Sequence, residues 1–117
     1  MHFRSLKTLI IGMLAMMLLV GIALPGHSIG HTGYRIASGR DQMIIWGDAV
    51  VSPELQFAHP GWANAFDADA EQSIASRMRI FDEVATDKIF VAGMHLPFPG
   101  VGYVSRQGNE YRFESAV

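Results

Sequence analysis

Cysteine is absent from the 117 residues, which excludes disulfide scaffolds and thiolate-based zinc fingers. The absence does not fix a compartment, since an exported chain need not carry disulfides. Charge is scarce as well, at 17% of residues, with nine basic and eleven acidic side chains leaving a net charge of -2. No basic field exists to hold a phosphate backbone, so no nucleic-acid partner is expected. Internal repeats and low-complexity stretches are also missing. What is plentiful is apolar: 50% of residues are hydrophobic, too many for a disordered tail or a solvated linker. The length allows one small domain.

The apolar half is unevenly spread. Arg4 and Lys7 form a short positive region, and Thr8 to Leu24 then runs 17 residues without a charge. That length lies at the lower limit for crossing a bilayer, roughly 17–25 residues. Together with the small residues Gly21 and Ala23, the pattern reads as a secretory signal cleaved after Ala23 or as a transmembrane anchor over residues 1–23. The positive flank keeps the N-terminus cytoplasmic in either case. The expected location is therefore exported, periplasmic or extracellular, or anchored in the membrane. A second reading stands beside it, in which Val20 to Leu24 is a buried strand entering the Pro25-Gly26 turn and the protein is cytoplasmic. Residues 24–117 are 94 in number and carry a net charge of -4, enough to fold alone with little surplus burial.

Within those 94 residues the pattern predicts strands at Thr32–Ala37 and Gln42–Trp46, joined as a hairpin across Ser38-Gly39-Arg40-Asp41. Met43-Ile44-Ile45-Trp46 is apolar without alternation, as in a strand covered on both faces. Pro53, Pro60 and Gly61 break all periodicity from Ser52 to Phe66, which reads as a long loop. Asp67 or Asp69 opens a helix to about Thr86, with Asp69 and Gln72 spaced as a capping box. Ile74, Met78, Phe81 and Ala85 recur at helical spacing as its core stripe, while Arg77, Arg79, Asp82 and Glu83 lie mostly off it. Ile89–Ala92 is a third strand, Gly93–Gly102 a turn-rich loop, and Gly102–Arg106 with Tyr111–Glu114 a closing hairpin over Gln107-Gly108-Asn109. The fold class is mixed α/β.

Candidate chemistry sits where strands end. His27 and His31 are four apart, the spacing of a zinc pair on a helix, but Pro25, Gly26, Gly30 and Gly33 make this a loop. They are then either metal ligands or polar loop residues. His95 follows the apolar strand Ile89–Ala92, where α/β folds present functional side chains. Asp48 follows Gln42–Trp46, and a carboxylate there must be paired, bound to a cation or turned to water. Two histidines and one carboxylate at loop mouths form a hard-to-borderline cation set, with structural hydrogen bonding as the alternative for each. His59 reads as a surface histidine or as part of a pocket wall. Trp62 and Phe57 read as aromatic anchors of the long loop or as pocket lining.

In combination these segments resemble the metallo-β-lactamase fold superfamily of metallo-hydrolases. Pro25-Gly26-His27-Ser28-Ile29-Gly30-His31 is similar to its Pro-Gly-His-Thr/Ser-x-Gly-His signature. Trp46-Gly47-Asp48 resembles the next motif, and Ala92-Gly93-Met94-His95 with Pro97-Phe98-Pro99-Gly100 the last metal motif. The ligand positions are separated by 21 and 47 residues, as in that family. The resemblance spans about residues 20 to 117 and implies the C-terminal half of an αββα sandwich behind an apolar N-terminal segment. Gln56-Phe57, Pro60 and Trp62 resemble members of the lactonase and organophosphate-hydrolase type.

The resemblance implies roles residue by residue. His27 matches a ligand of the first metal, Asp48 the carboxylate bridging two metals, and His95 a ligand of the second. The cofactor implied is a pair of cations, usually Zn2+, with manganese and iron as alternatives. The substrate implied is a small ester, lactone or phosphoester. His31 is a loop residue and not a ligand. The family's upstream His-x-His-x-Asp-His motif has no counterpart, since no two histidines here are separated by one residue. Two protein ligands per metal fall short of the three that catalytic zinc keeps, so zinc binding is expected to be weak or absent in this chain. A half-sandwich would also expose apolar surface and need another chain to cover it. Two functions follow: a metal-dependent hydrolase fragment inactive alone, or a non-catalytic, membrane-associated remnant or partner-binding protein.

Overall fold

A computed structural model describes residues 17–117. Residues 1–16, which carry most of the expected leader or anchor, lie outside the described residues. Six strands form one sheet in the order β1 to β6: β1 (Met17–Ala23), β2 (Thr32–Ser38), β3 (Asp41–Ile45), β4 (Phe90–Ala92), β5 (Val101–Gln107) and β6 (Glu110–Ser115). Every neighbouring pair is antiparallel except β3 and β4, which are parallel. A parallel pair needs a long crossover. Here that crossover contains a 3-10 turn (Gly47–Ala49), a short helix α1 (Pro53–Gln56) and the long helix α2 (Ala70–Thr86).

The elements arise from local chemistry. Asp69 caps α2 by accepting the Gln72 backbone N–H at 3.1 Å, while the Gln72 side-chain amide donates back to its carboxylate at 2.9 Å, a variant of the expected capping box. Gly39 at φ +60 and Gly108 at φ +61 turn the two hairpins, a conformation that favours glycine. The long loop expected over 52–66 holds α1, which starts at Pro53, where the missing N–H costs nothing. The end of the apolar segment, Met17–Ala23, is β1, paired with β2 at all seven positions. The expected buried strand Val20–Leu24 is corrected, since Val20 is exposed and only Leu24, just past the strand, is fully buried. No helix of the described residues is long and apolar enough to cross a membrane.

One face of the sheet carries the core. Ile44, Val91, Val104 and Tyr111 pack with Trp46, Phe57, Ile80, Phe81 and Val84. Phe57 stacks on Phe81 with ring centroids 4.8 Å apart and is buried, so it anchors the loop in the core. The buried face of α2 is rotated from the expected stripe. Ser73, Ser76, Arg77, Ile80, Phe81 and Val84 are buried, whereas Met78 is exposed. Arg77 is inside because it has hydrogen-bond acceptors there, described below. The reading of Met43–Trp46 as covered on both faces is also corrected. Ile44 and Trp46 are fully buried, but Met43 and Ile45 are only half-buried. They point to the opposite sheet face, where the register aligns Tyr34, Ile45, Ala92 and Val101 in one row and Ile36, Met43 and Phe90 in the next. No described element covers that face.

Candidate metal centre

Strands β1, β3 and β4 run in the same direction, because β1 and β3 are each antiparallel to β2 and β4 is parallel to β3. Their C-terminal ends therefore share one edge, the usual location of sites in α/β sheets. The loop after β1 carries His27, the 3-10 turn after β3 carries Asp48, and the loop after β4 carries His95. The structure brings these three candidate residues together. His27 Nε2 lies 3.1 Å from Asp48 Oδ2, and His95 Nε2 lies 3.0 Å from Asp48 Oδ1. Each carboxylate oxygen thus faces one imidazole nitrogen. The side chains are 24%, 36% and 42% exposed for His27, Asp48 and His95, so the cluster opens to solvent.

His31 does not join the cluster but fixes it from behind. The Asp48 backbone N–H donates to His31 Nε2 at 2.9 Å, so that nitrogen is the unprotonated one. Nδ1–H then donates to the Leu24 carbonyl at 2.8 Å. One neutral imidazole thereby ties the end of β1 to the Asp48 turn. Gly47 makes room for it: at φ +55, a Cβ there would stand 2.8 Å from His31 Nε2.

The His27 loop is bound to the start of α2 by three successive carbonyls. Pro25 O accepts from Ser76 Oγ at 2.7 Å, Gly26 O from Asp69 N–H at 2.9 Å, and His27 O from Ala68 N–H at 3.1 Å. Asp67, read from sequence only as a possible helix start, has a second role. Its side chain is 1% exposed, and Oδ1 lies 3.2 Å from His27 Nδ1. Its Oδ2 accepts the Asn64 backbone N–H at 3.3 Å. Behind it Arg77 is fully buried, donating to Ala49 O at 2.9 Å, to Pro60 O and Trp62 O at 2.9 and 2.8 Å, and to Ser73 Oγ at 3.3 Å. Burial lowers the guanidinium pKa and the Asp67 charge raises it again. Arg77 thus joins the Asp48 turn, the long loop and α2. No local signal marks Asp67 or Arg77, since their partners lie far along the chain.

His59 is exposed and stacks on Trp62 with ring centroids 3.8 Å apart, outside the three-residue cluster. A cavity of ≈ 430 Å³ lies at the far end of the sheet beside Ser38, Arg40, Asp41, Met43, Lys88 and Phe90, remote from His27 and Asp48. As donors, imidazole nitrogen and carboxylate oxygen suit zinc, and the placement of one histidine at each oxygen of Asp48 suits two cations sharing a carboxylate. In number they fall short. Among the described residues, no three His, Cys, Asp or Glu side chains form a group able to hold one metal ion.

No family model and no curated protein matches the chain. Solved structures do. AidC, described as a dizinc quorum-quenching lactonase in complex with a product, is 29% identical, with a TM-score of 0.79 over 85% of this chain and 34% of its own. The hydrolase AbOPH of the beta-lactamase superfamily is 29% identical, with a TM-score of 0.78 over 81% of this chain and 33% of its own. A probable metal-dependent hydrolase from Staphylococcus aureus shares the fold at 22% identity, with a TM-score of 0.66 over 85% of this chain and 36% of its own. The chain spans about a third of the length of the structures it matches. With its motifs in order and its ligand-type residues at one sheet edge, the chain has the C-terminal part of the metallo-β-lactamase fold and is similar to hydrolases of that superfamily.

Proposed function

We propose that the chain supplies part of a two-metal hydrolytic centre, with His27 on one cation, His95 on the other and Asp48 between them. The observation that carries this reading is the pairing of each Asp48 oxygen with one imidazole nitrogen, at 3.1 and 3.0 Å. Zinc bound there would supply a hydroxide near neutral pH and polarise a carbonyl or phosphoryl group. The chain's own residues hold the frame: His31 sets the Asp48 turn, and the Pro25–His27 carbonyls dock one ligand loop on α2. The substrate class proposed is an ester, lactone or phosphoester. A lactonase and the hydrolase AbOPH among the structural neighbours support it.

Two protein donors per cation are too few for tight binding, so the chain alone is proposed to be inactive. The remaining ligands, in the family's His-x-His-x-Asp-His pattern, would come from outside this sequence. The open sheet face with Tyr34, Ile45, Ala92 and Val101 would be covered by the polypeptide that brings them. Metal analysis of the purified chain tests the ligand count. Well under one tightly bound zinc per chain is expected, and two would show that the count is wrong.

The open apolar face also favours a second reading, a non-catalytic protein that binds a partner through it. The DNA upstream of Met1 separates the two. An uninterrupted frame encoding His-x-His-x-Asp-His would exclude the remnant. Export or anchoring through residues 1–23 is the location that goes with the leader reading, and a cytoplasmic location goes with the strand reading. N-terminal sequencing of exported material beginning at Leu24 would support cleavage, whereas membrane-bound protein beginning at Met1 would support an anchor.

A further inference from the structure

We infer that Asp67 is a positioning residue for His27, which holds the imidazole by Nδ1–H and so leaves Nε2 free to face Asp48 and a cation. The inference rests on the proposed metal centre for its purpose, and on the Asp67–His27 geometry for its substance. A neutral imidazole carries one ring proton, and the hydrogen bond at one nitrogen decides which nitrogen can ligate. For His27 the two nitrogens face two carboxylates. Nε2 is 3.1 Å from Asp48, which is 36% exposed, and Nδ1 is 3.2 Å from Asp67, which is 1% exposed.

The buried carboxylate makes the stronger demand for the proton. It is desolvated, and an unpaired acceptor in that position is costly. Its other oxygen is already engaged by the Asn64 N–H, and the Asp67 N–H donates to Asn64 O at 3.3 Å, so the loop fixes the direction in which Oδ1 points. Ala68, the next residue, donates its backbone N–H to His27 O. The same short segment therefore grips His27 at its ring and at its carbonyl. A carboxylate behind a ligand imidazole fixes ring orientation and raises ligand basicity, and its loss costs about 10–100-fold in metal affinity.

The test uses the full chain and reads the ring protons directly. Long-range 1H–15N NMR of metal-free protein, at a pH where imidazoles are neutral, is expected to show His27 as the Nδ1–H tautomer. Asp67→Ala is expected to shift His27 toward Nε2–H, and Asp67→Asn, whose amide oxygen still accepts, to keep Nδ1–H. The His31 signal, held in its own tautomer by Leu24 O and the Asp48 N–H, reports whether a variant has folded. An Nε2–H tautomer at His27 in the wild-type protein would overturn the inference, and that measurement needs no variant. Calorimetric titration with zinc chloride is the second arm. Asp67→Ala is expected to weaken zinc binding about 10–100-fold, and Asp67→Asn to restore it to within a few-fold. If zinc binds no protein at all while the tautomers behave as expected, the metal centre fails and the positioning of His27 by Asp67 stands. Equal zinc affinity in wild type and Asp67→Ala overturns the inference.

Discussion

Arg77 shows how much one side chain can hold. Its guanidinium is fully buried and reaches three backbone carbonyls on two segments, as well as Ser73 on its own helix. Arg77→Met would leave those acceptors unpaired and take away the guanidinium charge that Asp67 interacts with. Removing one partner from such a buried charged network costs on the order of 3–5 kcal/mol, measurable as a lowered midpoint in urea. Arg77→Lys should recover only part of this, since an ammonium cannot replace a planar fork of donors. Asp69 is the surface counterpart. Hydrogen bonds from the Gln72 backbone and side chain hold its carboxyl below the ordinary value. A depressed folded-state pKa gives stability that is full above the unfolded-state value and is lost as pH falls through the folded one. Asp69→Ala should therefore lower the melting temperature at neutral pH, and the difference from wild type should vanish in strong acid. Matching curves at all pH values would remove the cap from the account.

Among the elements, the loop after β1 and helix α2 behave as one unit. Gly26 sits at φ +132, and a Cβ there would stand 2.0 Å from the Ser73 backbone nitrogen. Gly26→Ala must push the loop off the helix, at a cost of at least about 1–3 kcal/mol, with loss of the Asp67–His27 contact. Amide exchange should rise at Asp69, whose N–H donates to Gly26 O, and unchanged protection would refute the coupling. The contact also explains what could be read beforehand. Strands β2 and β3, the capped α2 and the closing hairpin follow from periodicity and turn residues. So do the loop positions of His27, Asp48 and His95. The face of α2 does not follow, because Ser73, Ser76 and Arg77 are polar and look solvated. Ser76 and Arg77 are buried since they serve carbonyls at Pro25, Ala49, Pro60 and Trp62, with Ser73 accepting from Arg77, and a helical pattern contains no record of carbonyl partners 15 to 51 residues away. Asp67 escaped for the same reason, with His27 40 residues off.

At the scale of the molecule, the described residues cover only one face of the sheet. One face packs α2, while the other shows Leu19 at 62%, Tyr34 at 46% and Tyr103 at 48% exposure. Phe90 and Tyr103 lie there with ring centroids 5.2 Å apart. A net charge of only -2 gives little repulsion between copies. The chain alone should self-associate with rising concentration, seen by light scattering. Replacing Leu19 and Tyr34 by lysine should suppress this without unfolding the core face. Equal scattering by the variant would locate the sticky surface elsewhere.

The parallel pairing of β3 with β4 has a kinetic meaning. Asp48 and His95 stand 47 residues apart and meet only when the whole crossover, both helices included, has closed. Contacts of such separation form late, because the chain entropy of closure must be met first. The Asp48–His95 contact at 3.0 Å should therefore act after the folding barrier. It should lengthen the lifetime of the finished sheet and leave the rate of reaching it nearly unchanged.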